Sequence, residues 1–257
     1  MSNGQARLMT HMVSVFPSRA ASVAVASGLA RGGASYIELQ FPFSDPSADG
    51  NLIQTACTKA LDQGFTVADG FALASEIVKG TGLPLFIMSY GNLVVRRGVD
   101  WFVRRAKEAG ATGLIVPDLM PGSDEGLYAE GARSGVEIVP VVAPSISGSR
   151  LAMVAEVKPA YLYAALRVGI TGSYTEIGDE NRSFLERLEP LGAKLLAGFG
   201  IRSHEQVSAL AGRVHALVVG SAIVQAVLDA LSRGEESHLS ECIEAKTREI
   251  LTGACGT

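Results

Sequence analysis

Eight short runs rich in Val, Ile and Leu recur along the chain, at Leu8–Val15, Ser35–Leu39, Leu83–Met88, Gly113–Val116, Val136–Val141, Ala160–Tyr163, Lys194–Ala197 and His215–Val219. The longer stretches between them carry apolar residues at helical spacing, as in Val99, Phe102, Val103, Ala106 and Ala109, or Val207, Leu210 and Ala211. Near-continuous apolar strands alternating with helices predict a parallel sheet covered by helices, and eight such units predict closure into a (β/α)8 TIM barrel. An open doubly wound sheet is the architectural alternative. One further amphipathic stretch, Leu239, Cys242, Ile243, Lys246 and Ile250, reads as a closing helix beyond the eighth unit. The 257 residues match the ~250 of one such barrel, so a single domain over residues 1–257 is expected, although two smaller domains would also fit the count.

Hydrophobic residues make up 47% of the chain and charged ones 19%, enough to bury a large core and too apolar for disorder. The net charge of −4 leaves no basic footprint for nucleic acid or anionic lipid, which directs attention to small molecules or a protein partner. Residues Met1–Val15 lack a charged region followed by an unbroken apolar stretch, and no segment reaches the ~18 apolar residues of a membrane helix, so a cytoplasmic protein is expected. Cys57, Cys242 and Cys255 are far apart and lack C-x-x-C spacing, and the four histidines form no ligand pair. Neither disulfides nor a metal site is expected.

Candidate chemistry begins in Tyr36-Ile-Glu-Leu-Gln40. Alternation along a strand turns Ile37 and Leu39 toward the covering helices and Glu38 toward the barrel axis. A buried carboxylate must either find a partner or take up a proton, and the second outcome would suit a general acid near neutral pH. The following segment, Phe41-Pro-Phe-Ser-Asp-Pro-Ser-Ala-Asp-Gly50, lies at the strand's carboxyl end, the active face of this fold. Folding back over the barrel mouth, it can bring Asp49 to the same ligand as Glu38. Asp45, in an Asp-Pro dipeptide, reads as a turn residue.

Ala197-Gly-Phe-Gly200 ends the seventh run and Val219-Gly-Ser-Ala-Ile223 the eighth, each just ahead of a helix; Ser203-His-Glu-Gln206 has the form of a capping box. Backbone amides and a helix dipole favour an anion there, and the loops after strands seven and eight are the usual phosphate site of a barrel. Gly169-Ile-Thr-Gly172, a third Gly-rich loop, can add amides or act as a lid.

Taken together, Ile37-Glu-Leu-Gln-Phe-Pro-Phe-Ser-Asp-Pro-Ser-Ala-Asp-Gly50 resembles the signature loop of the tryptophan synthase α chain family. The likeness continues through Ile53-Gln54, Met88-Ser-Tyr-Gly-Asn92, Val116-Pro-Asp-Leu119, Gly169-Ile-Thr-Gly172, Gly198-Phe-Gly-Ile201 and Gly220-Ser-Ala-Ile-Val224. The resemblance implies retro-aldol cleavage of indole-3-glycerol phosphate to indole and glyceraldehyde 3-phosphate. It implies Glu38 as general acid and base, Asp49 as partner of the indole N–H, and Tyr163 in the indole pocket. Gly172, Gly200, Gly220 and Ser221 would hold the phosphate, and Thr171 would help close a loop over Asp49. It further implies no cofactor on this chain and a pyridoxal-phosphate-dependent β subunit as partner in an α2β2 complex. Asn51 and Leu93 stand where the family commonly has Pro, Val15-Phe-Pro17 replaces a Gly-containing turn, and Met120-Pro-Gly-Ser-Asp124 is atypical.

Two other readings compete. Another sugar-phosphate barrel enzyme would share the fold, but a Schiff-base aldolase needs a Lys at the active face, and Lys194, the only Lys at a strand, is at the opposite end. A regulatory partner of the β subunit with weak catalysis would not need both carboxylates.

Overall fold

The computed structural model describes residues 6–167, 177–198 and 200–254. Nine parallel strand segments form one sheet: β1 (Leu8–Val13), β2 (Tyr36–Gln40), β3 (Leu85–Met88), β4 (Gly113–Ile115), β5 (Glu137–Val139), β6 (Val141–Val142), β7 (Tyr161–Ala165), β8 (Lys194–Gly198) and β9 (Ala216–Val219). Their order is β5-β4-β3-β2-β1-β9-β8-β7-β6. The two ends of that order, β5 and β6, are one stretch of chain interrupted at Pro140, which has no N–H to give to a ladder. Its carbonyl still accepts from the Tyr163 N–H at 2.9 Å. Nine segments thus make eight staves, one for each apolar run, and the sheet returns on itself as a barrel.

The helices among the described residues are α1 (Arg19–Arg31), α2 (Asn51–Asp62), α3 (Val67–Thr81), α4 (Gly91–Val95), α5 (Val99–Glu108), α6 (Leu127–Ser134), α7 (Gly148–Glu156), α8 (Asp179–Leu188), α9 (His204–Leu210), α10 (Ser221–Ser232) and α11 (Leu239–Thr252). Local chemistry sets their starts. Ser18 accepts from the Ala21 N–H at 3.1 Å to open α1, and Gln206 accepts from the Ser203 N–H at 3.2 Å in the capping box of α9. None of them is long and apolar enough to cross a membrane.

Strand alternation divides the apolar residues into two cores. Ile37, Leu39, Leu85, Ile87, Leu217 and Val219 face the helices, while Met9, Phe86, Met88, Ile115, Val139, Tyr163, Leu196 and Val218 fill the barrel. Tyr36, Phe86, Tyr161 and His215 floor its amino end with ring centroids 5.2 to 6.3 Å apart. Lys194 stands at that same end, its Nζ 4.9 Å from the centre of the Tyr161 ring. The aromatic floor closes one end of the barrel, and polar side chains gather at the other.

The turn after β1 has Val15 at φ 62°, a left-handed conformation that a β-branched residue adopts at about 1–3 kcal/mol, with the buried Phe16 beside it. Leu93 lies inside α4 and its N–H donates to the Tyr90 carbonyl at 3.0 Å, a bond that Pro at this position could not make.

The last helix, α11, packs on α1 through Leu239, Ile243, Thr247 and Ile250. Cys242 and Lys246, which the spacing puts on the apolar face, are half-buried at its edge. Thr247 takes the central place, its hydroxyl satisfied by the Ile243 carbonyl at 2.8 Å. The two helices approach closely because Gly28 has no side chain: a Cβ there would sit 2.3 Å from the Ser240 carbonyl oxygen and 3.0 Å from Ile243 Cβ. Gly28→Val is therefore expected to destabilise the fold by about 1–3 kcal/mol through overpacking. Thermal melts would show this as a fall of about 2–4 °C per kcal/mol, with activity per folded molecule retained because the contact is remote from the barrel mouth.

Candidate active site

A cavity opens at the carboxyl ends of the strands, and Glu38, Asp49, Tyr163, Gly200, Gly220 and Ser221 all line it. Those residues come from β2, the loop ahead of α2, β7, the loop after β8, and the start of α10. Thr171 and Gly172 lie outside the described residues. His11 also reaches the cavity, and Ile53, Met88, Ile115, Val141 and Val218 give it apolar walls suited to a flat aromatic group.

Glu38 is 4% exposed and His11 likewise 4%; the two are register partners on neighbouring strands. Facing inward at the same height, they bring His11 Nδ1 to 3.5 Å from Glu38 Oε1. Burial by itself lowers the His11 pKa, but the Glu38 charge, the Glu38 hydrogen bond and the Asp49 charge together outweigh it and hold the imidazole above its usual range. Of the two outcomes open to a buried Glu, the structure provides a partner, and that partner is a histidine.

Asp49 is also buried, brought into the barrel mouth by the turn in which its N–H donates to the Pro46 carbonyl at 2.9 Å. Its Oδ2 accepts from Gln40 Nε2 at 2.7 Å and from the Tyr90 hydroxyl at 2.9 Å. Burial raises the Asp49 carboxyl above the usual carboxylate range, against the opposing pull of His11, Gln40 and Tyr90. The same surroundings push the Cys57 thiol up to about 12, through burial first and the Asp49 charge second. Asp45 stays exposed in its turn, accepting from the Ser44 hydroxyl at 2.7 Å.

Tyr163 sits in the middle of β7 rather than at its end, because the strand runs on to Ala165 beyond the apolar run that marks it in sequence. Its ring crosses the interior toward β8, where a Cβ on Gly198 would meet the hydroxyl at 2.5 Å, so only glycine fits there. Across the cavity, Gly220 caps α10, and the buried Ser221 opens it. The twelve-residue α10 directs its positive end at the cavity. Gln206 steadies the adjoining loop, donating from Nε2 to the Gly200 carbonyl at 2.9 Å and accepting at Oε1 from the Arg202 N–H at 2.8 Å.

Three residues of the site escape the sequence reading: His11, Gln40 and Tyr90. Gln40 follows Glu38 by two along one strand, so alternation alone places it on the inner face. Tyr90 holds the same relation to Met88. His11 carries no such signal, because a histidine in an apolar run gains its meaning only from the register that sets it beside Glu38.

A family model described as tryptophan synthase alpha chain matches residues 1–252. The chain belongs to that family. Among curated relatives it is 38% identical over 238 residues to the tryptophan synthase alpha chain of Helicobacter hepaticus, covering 90% of this chain and 89% of the relative. It is 34% identical over 251 residues to that of Carboxydothermus hydrogenoformans, covering 97% and 94%. Among solved structures, tryptophan synthase of Mycobacterium tuberculosis superposes with a TM-score of 0.88 at 30% identity, covering 100% of this chain and 95% of that one. The Pyrococcus furiosus enzyme superposes with a TM-score of 0.84 at 28% identity, covering 96% and 98%. The family's reaction, cleavage of indole-3-glycerol phosphate to indole and glyceraldehyde 3-phosphate, is this chain's reaction.

A raised carboxyl pKa in the folded state means that folding favours the protonated form of Asp49. The associated stability is present below the ordinary carboxyl range and lost as pH rises through the folded value. Asp49→Asn keeps an acceptor for Gln40 and Tyr90 without the buried charge. Melting curves are expected to show the variant level with the wild type at pH 4 and more stable at pH 8, by about 2–4 °C for each kcal/mol regained.

Proposed function

We propose that the cavity at the barrel mouth is where indole-3-glycerol phosphate is cleaved, with Glu38 as the acid and base of the reaction. The observation that carries this reading is the convergence in one cavity of two buried carboxylates, an apolar slot and the amino end of α10. The apolar walls and Tyr163 hold the indole. Gly200, Gly220 and Ser221 hold the phosphate, where backbone amides and the α10 dipole favour a dianion. The family resemblance adds Thr171 and Gly172, which lie outside the described residues, to the phosphate-binding group. Fixed at both ends, the substrate presents its reacting carbons between Glu38 and Asp49, which is the entropic advantage of a rigid site.

Retro-aldol cleavage needs a proton on indole C3 and a base for the glycerol hydroxyl. Glu38 gives the first proton and takes the second, so the carboxyl ends the cycle as it began it. Protonation at C3 leaves positive charge on the ring nitrogen, and the Asp49 carboxylate, held by Gln40 and Tyr90, accepts the indole N–H and stabilises that charge as it develops. The C–C bond then breaks, its electrons return to the ring, and the hydroxyl oxygen becomes the aldehyde of glyceraldehyde 3-phosphate.

The chain acts as one domain in the cytoplasm, as the α subunit of an α2β2 complex. The Pyrococcus furiosus relative is described as an α2β2 complex with mutual activation, which supports a β subunit as the partner that receives the indole. Indole release from indole-3-glycerol phosphate by the purified chain, with and without a β subunit, tests the whole reading. Glu38→Gln is expected to lower turnover by at least about 100-fold while leaving assembly with β unchanged. Wild-type chain that releases no indole under either condition would overturn it.

A further inference from the structure

His11 has no place in the mechanism above, yet it is the side chain nearest Glu38 in charge and register. It is 4% exposed, it lines the cavity, and its Nδ1 lies 3.5 Å from Glu38 Oε1. The other atom of each group, His11 Nε2 and Glu38 Oε2, is buried and has no hydrogen-bond partner among the described residues. A buried polar pair that satisfies itself on one side and leaves the other side unmet is arranged for something that arrives later. Building on the proposed role of Glu38, we propose that His11 is a positioning residue for it: Nδ1 holds Oε1, leaves Oε2 to meet the substrate, and shares with Glu38 the single proton that the reaction moves.

The proton count closes. The resting pair holds one proton, on His11 as imidazolium beside a carboxylate, or on Glu38 as carboxylic acid beside a neutral imidazole. Glu38 Oε2 passes that proton to indole C3. The C–C electrons restore the aromatic ring, the O–H electrons form the aldehyde C=O, and the hydroxyl proton returns to the pair. No other donor is required. The active resting form is thus the one-proton pair, and it disappears when pH rises through the value at which the pair lets its last proton go.

The groups that face His11 favour this. Glu38 approaches from β2 and Asp49 from the loop ahead of α2, both acidic, with Tyr163 on β7 beyond them. Tyr90 and Cys57 stand behind Asp49, both held neutral by burial and the Asp49 charge. From β9 and α10 come Val218, Gly220 and Ser221, which bring no charge. The imidazolium is therefore opposed by no cation among the described residues and supported by two carboxylates.

Two measurements test the proposal. In an NMR titration of the histidine ring protons, His11 is expected to titrate above an ordinary histidine in the wild type. It should fall below that value in Glu38→Gln, because burial then acts with only Asp49 against it. This readout needs no turnover. In pH profiles of kcat/KM for indole release, the basic limb is expected to follow the His11 titration and to move to lower pH in both His11→Phe and His11→Asn, which cannot store the proton. His11→Phe should lower kcat roughly tenfold with little change in KM, as expected for a displaced catalytic group. His11→Asn, whose amide can still donate to Oε1, should recover part of that loss. A His11 titration indifferent to Glu38→Gln, or a basic limb unmoved in both variants while they still release indole, would overturn the role of His11 and leave the lyase reading intact. No indole from wild type, mutants or the β complex would instead overturn the lyase reading, with the NMR titration still deciding the pairing.

Discussion

Every stave of a closed parallel barrel obeys one constraint: successive side chains alternate between the helix layer and the interior, and no edge is available to relieve a misplacement. Leu39 belongs with the helices because Glu38 belongs inside, and a shift of one residue would exchange them. Register extends the constraint across strands. Pairing of His11 with Glu38, and of Gln40 with Met88, fixes which inward side chains share a level. The amino end is closed by the ring cluster of Tyr36, Phe86, Tyr161 and His215, so the carboxyl end is where an interior group can meet a ligand.

Placing two carboxylates in that interior is unfavourable, and the surrounding residues can be understood as the response. Glu38 has an imidazole beside it, while Asp49 has an amide and a phenol on one oxygen. None of these compensations is complete. Burial still raises the Asp49 carboxyl, and Glu38 Oε2 stays without a partner among the described residues. Residual electrostatic discomfort of this kind is what a catalytic site retains, since a fully satisfied carboxylate would have nothing to gain from a substrate that carries an N–H and develops positive charge.

The proposed phosphate half of the site offers backbone rather than charge. Gly220 and Ser221 start a long helix, and one side chain, Gln206, clasps the neighbouring loop at Gly200 and Arg202. Gly198 gives Tyr163 the space to cross toward β8. In the proposed binding mode a phosphate anchor on one side and an apolar slot on the other hold the substrate across the two acids, which assigns positioning and proton transfer to different residues on different staves.

Much of this was legible in the chain itself. The eight apolar runs match eight staves because strand and helix periods are local properties, and Glu38 faces inward because alternation is local too. The glycines and Ser221 stand where loops precede helices, and the long match around Glu38 and Asp49 is specific enough to name the family. Local pattern could not give what depends on neighbours distant in sequence. The break at Pro140, the extension of β7 past Tyr163, and the choice of Thr247 over Cys242 at the α1–α11 contact all follow from packing. So does the partner of Glu38: His11 lies twenty-seven residues earlier in an apolar run, and only the parallel register of β1 on β2 turns it from an ordinary buried histidine into the group beside the acid. Alternation is decided by adjacent residues and can be read from them, whereas electrostatic pairing is decided by distance in space, which only the closed barrel sets.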